Sequence, residues 1–259
     1  MKKAIFVAAA VILTAALAFS GFKLWAYFSA EQEAAEQYGS LTEQVVTPPS
    51  IPDGTEQPDD SPPSEWTVND QYGTLFEQNP DMIGWIKIDG TTIDYPVMQT
   101  PDRPDYYLKR GFDGKTSDYG VPYAAGGCSI DPQSGNITIF GHHMKSGKMF
   151  GILESYKSEA FWREHPHIQF DTRAGFGKYA VIAVFKVNPA DFPYHKFISA
   201  AGQAEFDGYV SHCKALSFYD TGVTAQYGDK LITLSTCEYS TQGNRLVVVA
   251  QKIGGGSDG

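Results

Sequence analysis

The chain has 259 residues, a formal net charge of −10, 42% apolar residues and 14% aromatic residues. This length allows one or two domains, and the aromatic content excludes a wholly disordered chain. Nucleic acid is excluded as a partner, because gripping phosphates needs a face rich in Lys and Arg and the chain has 20 basic against 30 acidic residues.

The first element in chain order is an uncharged apolar run over residues 4–22. As a helix rising about 1.5 Å per residue, it spans about 28 Å, which matches the hydrocarbon core of a bilayer. Lys2 and Lys3 precede the run and acidic sequence follows it. The positive-inside rule therefore predicts a single-pass anchor in residues 1–28, with a cytoplasmic N-terminus and the rest of the chain outside. A cleaved signal peptide is the alternative, because residues 16–18 (ALA) fit the small-x-small cleavage pattern.

Residues 29–65 are predicted to be an acidic, proline-rich linker. Six of the 15 prolines lie in residues 47–65, and such a stretch cannot bury enough apolar surface to offset its chain entropy. Its first part, residues 29–44, is polar and able to extend the preceding helix. The folded domain is then residues 66–253, followed by a flexible tail at 254–259.

The folded domain is predicted to consist mainly of strands, after an opening helix over residues 68–78. Strand patterns cover residues 83–88, 91–98, 136–140, 178–187, 230–236 and 245–252, with the hairpin dipeptide Asp89-Gly90 between the first two. A further helix is predicted over residues 206–216, whose apolar side chains recur on one face. Many strands without regular βα alternation indicate a mostly β fold, closed into a barrel or packed as a sandwich.

The three cysteines have different surroundings. Cys213 lies on the apolar helix face, where a free cysteine usually behaves as a small buried hydrophobe. Cys128 lies in a loop and is either an inert thiol or a disulfide partner of Cys213. Cys237 ends a predicted strand, where a rigid sheet holds a reactive group that is also exposed. Cys237 is therefore the candidate nucleophile.

A thiol nucleophile needs a base or an imidazolium nearby. His142 follows the strand at 136–140 and so also lies at a strand end, whereas the adjoining His143 should point to the opposite face. Arg245 begins the strand after Cys237, and hairpin pairing of these two strands would bring them opposite each other. A guanidinium there can stabilise a developing oxyanion. The alternative is an arginine that pairs with Glu238 at a barrel rim.

No metal or cofactor is expected. His165 and His167 alternate like ligands on one strand face, but a zinc site needs three or four ligands and the sequence shows no second pair. They are interpreted as edge or core histidines.

Three motifs around the candidate residues resemble those of the sortases, the membrane-anchored cysteine transpeptidases of Gram-positive bacteria. They are TLSTC at 233–237, RLVVVAQ from Arg245, and NITIFGHHM at 136–144. The similarity is greatest to class B, whose framework resembles residues 79–99, 106–120 and 146–153. The resemblance implies a closed eight-stranded β-barrel with an N-terminal helical extension and a helix before the cysteine strand, with residues 66–253 as the catalytic domain.

The resemblance also implies roles by motif position. Cys237 would be the nucleophile, His142 the acid and base, and Arg245 the residue that stabilises the oxyanion or positions the substrate. Ser235 and Glu238 fall where the class touches its substrate.

The function implied is a transpeptidase that needs no metal or cofactor. It would cleave an NPxTx-like sorting signal of exported surface proteins and transfer the acyl group to an amine of a peptidoglycan precursor, next to the membrane that holds its N-terminal helix. One alternative is a pilin-polymerising sortase that uses a pilin lysine as the acceptor. Another is a catalytically silent anchored barrel that binds extended peptides by strand addition.

Overall fold

The structure of the protein is a computed structural model that describes residues 2–48, 66–237 and 243–254. The chain divides into two compact units, Met1–Ser40 and Leu41–Gly259. Helix α1 runs from Lys2 to Glu43 and includes both the predicted anchor and the polar extension. By length and composition α1 is able to cross a membrane. Residues 49–65, which hold most of the prolines of the predicted linker, lie outside the described residues.

The second unit contains a closed β-barrel. Its strands are β1 (Met82–Lys87), β2 (Asp94–Met98), β3 (Tyr123–Ala124), β4 (Asn136–Phe140), β5 (His167–Thr172), β6 (Lys178–Val187), β7 (Leu231–Cys237) and β8 (Arg245–Ile253). They follow one another around the barrel in the order β1-β2-β3-β4-β7-β8-β6-β5, and β5 pairs with β1 to close it. The pairs β2–β3 and β4–β7 are parallel, and the other neighbours are antiparallel. The expected closed eight-stranded barrel is confirmed.

The helices of this unit either precede β1 or lie between the strands in sequence. They are α2 (Val68–Gln78), α3 (Glu159–Glu164) and α4 (Gln203–Leu216), with 3₁₀ turns at Tyr106–Lys109, Gly151–Lys157 and Tyr194–Lys196. Helix α2 has the bounds that the sequence predicts, and a capping box between Thr67 and Asp70 defines its start.

Helix α4 packs through its predicted apolar face. Phe206, Tyr209, Val210 and Cys213 are buried in one cluster with side chains of β6, β7 and β8. Because side chains fill the interior of an eight-stranded barrel, the helix covers the outer face of these strands. The 3₁₀ turn at Tyr194–Lys196 belongs to the same β6–β7 connection, and Tyr194 joins this cluster.

Two strands, β3 and β5, are not predicted by the sequence. Strand β3 has only two residues and lies in the small, glycine-bearing stretch 121–127, so it carries no alternating pattern of its own. Strand β5 begins at His167 and contains polar Gln169 and Asp171, which weakens its apolar signal. Both strands exist because neighbouring strands supply their hydrogen-bond partners.

Candidate active site

Three neighbouring strand ends meet at one end of the barrel. In the parallel pair β4–β7, Phe140 lies opposite Ser235, and the N–H of Gly141 donates to the carbonyl of Ser235 at 3.1 Å. β4 ends at Phe140, but the same offset, if continued by two residues, would set His142 level with Cys237. In the antiparallel pair β7–β8, Cys237 lies opposite Arg245, which confirms the predicted hairpin register. The backbone therefore places Cys237 and Arg245 opposite each other on β7 and β8, and His142 two residues beyond the end of the neighbouring β4.

The His142 ring is held by a backbone carbonyl. Its Nε2 lies 2.5 Å from the carbonyl oxygen of Leu108, in the 3₁₀ turn Tyr106–Lys109. A carbonyl only accepts hydrogen bonds, so this contact is a hydrogen bond in the ring forms that carry a proton on Nε2. The histidine backbone is held as well, because the N–H of Phe150 donates to the His142 carbonyl at 2.9 Å. His143 lies opposite Met149 in an isolated antiparallel bridge, a different setting from that of His142.

Gly141 is required by the packing beside this histidine. A Cβ at this position would lie 2.5 Å from Cγ of the Phe150 ring, closer than real carbon contacts allow. Phe150 is fully buried, so it has no free space into which to retreat. The glycine therefore lets the chain pass over the Phe150 ring just before His142.

Arg245 lies at the start of β8 and is half-buried, and its Nη1 donates to the carbonyl of Asn244 at 3.2 Å. The positive charge of Arg245 interacts electrostatically with His195, which lies in the 3₁₀ turn of the β6–β7 connection. Burial, and then the positive charges of Lys196 and Arg245, lower the pKa of His195. His195 is therefore a neighbour of the candidate site that the sequence analysis missed, because no motif marks it.

Ser235 is buried beneath the site. It is 1% exposed, and its hydroxyl forms a hydrogen bond of 2.6 Å with the hydroxyl of Tyr194, which is also 1% exposed. This bond joins the β6–β7 connection to β7 two residues before Cys237. Substrate contact by Ser235 stays a prediction, and Glu238 lies outside the described residues.

The other two cysteines are free, buried thiols, so they do not form the disulfide that the sequence left open. Burial raises the pKa of Cys213 to about 12, and it also raises the pKa of Cys128. A thiol with a raised pKa forms little thiolate and reacts slowly.

No group of three or more His, Cys, Asp and Glu residues that could hold a metal ion occurs in the described part of the chain. His165 instead donates from Nδ1 to the carbonyl of Asp89 at 2.8 Å, and it thereby fixes the turn between β1 and β2.

Comparisons with known proteins agree with this barrel and its motifs. The model of the Sortase domain family matches residues 86–253. Sortase B of Staphylococcus aureus is 30% identical over 72% of this chain and 76% of its own length. Sortase B of Listeria monocytogenes is 31% identical over 66% of this chain and 68% of its own length.

Solved structures of related proteins have the same fold. The crystal structure of sortase B from Bacillus anthracis in complex with AAEK1 superimposes with a TM-score of 0.73 at 26% identity, covering 87% of this chain and 99% of the other. A substrate complex of Staphylococcus aureus sortase B superimposes with a TM-score of 0.67 at 30% identity, covering 72% of this chain and 86% of the other. A sortase B complexed with triglycine also matches, with a TM-score of 0.66 at 30% identity over 72% of this chain and 86% of the other.

A closed eight-stranded barrel that the Sortase domain model matches and that resembles sortase B enzymes defines a cysteine transpeptidase of the sortase type. The chain belongs to the sortase family, and its similarity is to the class B enzymes.

We predict that Cys237 reacts with iodoacetamide much faster than the other two cysteines in the native protein. With a pKa of about 12, Cys213 is about one part in 10⁴ thiolate at pH 8, and burial also hinders reagent access. Timed labelling followed by peptide mass spectrometry measures the three rates separately.

The control is Cys237→Ala, which should label slowly until denaturant exposes Cys128 and Cys213. Equal rates for Cys237 and Cys213 in the native enzyme would contradict the assignment of Cys237 as the reactive thiol.

Proposed function

We propose that this sortase cleaves an NPxTx-like sorting signal near the C-terminus of exported surface proteins and joins the acyl fragment to an amine of a peptidoglycan precursor. The observation that supports it is that Cys237 lies opposite Arg245 in the β7–β8 pair, while His142 follows two residues after the end of β4, the other neighbour of β7. A thiolate, a proton carrier and a fixed cation are the groups that acyl transfer through a thioester requires.

The first step forms the thioester. The Cys237 thiolate attacks the carbonyl carbon that follows the threonine of the signal, and the Arg245 guanidinium stabilises the negative charge that develops on the oxygen. The peptide C–N bond then breaks. His142, as imidazolium, gives its proton to the departing amine, and the acyl group stays on the sulfur.

The second step releases the product. The acceptor amine attacks the thioester carbonyl, and neutral His142 takes the proton that the amine loses. The C–S bond breaks and Cys237 leaves as a thiolate, so the enzyme returns to its starting state. Water in place of the amine would give hydrolysis instead of transfer.

The acceptor distinguishes the two possible transpeptidase functions, because a pilin polymerase would use a lysine side chain instead. The silent peptide-binding barrel is not favoured, since the family to which the chain belongs is one of transpeptidases. Triglycine, with which a related sortase B is complexed, is the natural acceptor probe for a glycine-type amine.

We predict that the full chain in detergent converts an NPxTx peptide and triglycine into one product, the peptide up to its threonine joined to triglycine. Mass spectrometry identifies the product, and a peptide with the same residues scrambled is the control. Transfer to a lysine-bearing peptide in preference to triglycine would support the pilin polymerase. Absence of cleavage across a library of such signals would contradict the proposal.

We predict that His142→Ala lowers transpeptidation by about three orders of magnitude, because the variant loses both the proton carrier and the cationic partner of the thiolate. His143→Ala should lower it by about tenfold or less, since only local packing changes. Initial rates with one peptide and one amine at fixed pH measure both. The roles must be exchanged if His143→Ala is the inactive variant.

We also propose that α1 anchors the enzyme in the cell membrane with its N-terminus in the cytoplasm. Lys2 and Lys3 before an apolar helix of membrane-spanning length support this orientation. Protease added to intact cells should release a soluble fragment that starts within residues 30–66. N-terminal sequencing that finds a mature protein starting at Phe19 would instead indicate a cleaved signal peptide.

A further inference from the structure

We propose that the backbone carbonyl of Leu108 positions His142 for catalysis by holding the proton on Nε2. Nδ1 is then the nitrogen that exchanges a proton with the reacting groups. This inference rests on the proposed role of His142 as the acid and base. Leu108 is a positioning residue, because it acts through the histidine.

The geometry of one hydrogen bond carries the inference. Nε2 of His142 lies 2.5 Å from the Leu108 carbonyl oxygen, and two unprotonated lone-pair atoms would repel each other at such a short distance. In a neutral imidazole one nitrogen donates and the other accepts, and the partner of the first nitrogen decides which is which. The Leu108 carbonyl therefore selects the tautomer in which Nε2 is protonated and Nδ1 is not. When the ring is doubly protonated, Nε2 still carries a proton, so the same hydrogen bond persists.

The 3₁₀ turn that presents this carbonyl is itself fixed. The buried Tyr107 donates from its hydroxyl to Asp81 at 3.0 Å. The ring of Tyr106 packs under two guanidinium groups, those of Arg103 and Arg110, at 3.9 and 4.7 Å from the ring centre. A carbonyl held in this way keeps one orientation while the imidazole gains and loses its other proton.

Gly120 offers a direct way to move the carbonyl without changing His142. A Cβ at this position would lie 2.5 Å from the carbonyl oxygen of Leu108 and 2.8 Å from that of Tyr107. Both atoms are backbone, so an alanine side chain forces the turn to shift. Gly120 has a φ of +58°, so Gly120→Ala also introduces backbone strain.

Gly114 supplies the matched control for that strain. Its φ is +76°, and a Cβ there would meet only the Tyr106 hydroxyl, at an ordinary distance of 3.6 Å. Gly114→Ala therefore introduces a similar left-handed alanine in the same region of the chain, but leaves the Leu108 carbonyl where it is.

The first measurement is the tautomer of His142 in the wild-type full chain in detergent. ¹⁵N spectra of histidine-labelled protein at alkaline pH should show Nε2 protonated and Nδ1 unprotonated, with the resonances assigned by their loss in His142→Asn. A wild-type His142 protonated on Nδ1 would overturn the proposal, whatever the variants do.

The second measurement compares the two glycine variants. Gly120→Ala should lower kcat by about tenfold or more and give mixed Nε2–H and Nδ1–H signals for His142, whereas Gly114→Ala should stay within about twofold of wild type and keep the single tautomer. Retention of both rate and tautomer in a folded Gly120→Ala enzyme would overturn the proposal, as would equal losses in both variants. If Gly120→Ala fails to fold, the wild-type tautomer decides.

His142→Ala separates this inference from the proposed function. If His142→Ala retains near-wild-type turnover, the proposed role of His142 fails. If His142→Ala is inactive but the wild-type ring is protonated on Nδ1, only the role of the Leu108 carbonyl fails.

Discussion

The parallel pairing of β4 with β7 is the constraint on which the candidate site depends. It sets which residue after β4 lies level with Cys237, and a slip by one residue would bring His143 there and turn every β4 side chain to the other face. The register is supported by a buried side-chain bond, in which the Thr233 hydroxyl donates to Asn136 at 2.9 Å. Asn136 is fully buried and also donates to the carbonyl of Phe197, so a slip would leave its amide without partners.

The two strands that flank β7 bring different functional groups, an imidazole and a guanidinium, to the end of the barrel where Cys237 lies. Strand β4 leads to the His142 imidazole, the proposed proton carrier, and β8 begins with the Arg245 guanidinium, which keeps its charge at any physiological pH. Because all three positions lie at strand ends, the sheet fixes the backbone of each while leaving that end of the barrel available to a substrate. A transpeptidase needs such a fixed site, since the reacting carbonyl must meet the thiol within a small range of distances.

The β6–β7 connection packs against the outer face of the strands that carry the candidate site. Helix α4 covers the outer face of β6, β7 and β8, and Tyr194 joins the same connection to Ser235 by a buried hydrogen bond. The same packing buries the Cys213 thiol completely, and that burial raises the pKa of the thiol. The same apolar cluster thus raises the pKa of the Cys213 thiol and packs against β7, the strand that ends at Cys237.

The sequence by itself determined the elements with strong local patterns, such as α2, β4 and β6. Its motifs at 136–144 and 233–237 also placed a histidine and a cysteine at strand ends. These features depend only on alternation, capping and the residues that end a strand. Only the tertiary structure decided how the barrel closes, because β3 and β5 are defined by their neighbours rather than by their own residues. It also decided what holds the histidine. The Leu108 carbonyl has no sequence signature, since every residue has a carbonyl, and it reaches His142 across 34 residues of chain that only the folded barrel brings together.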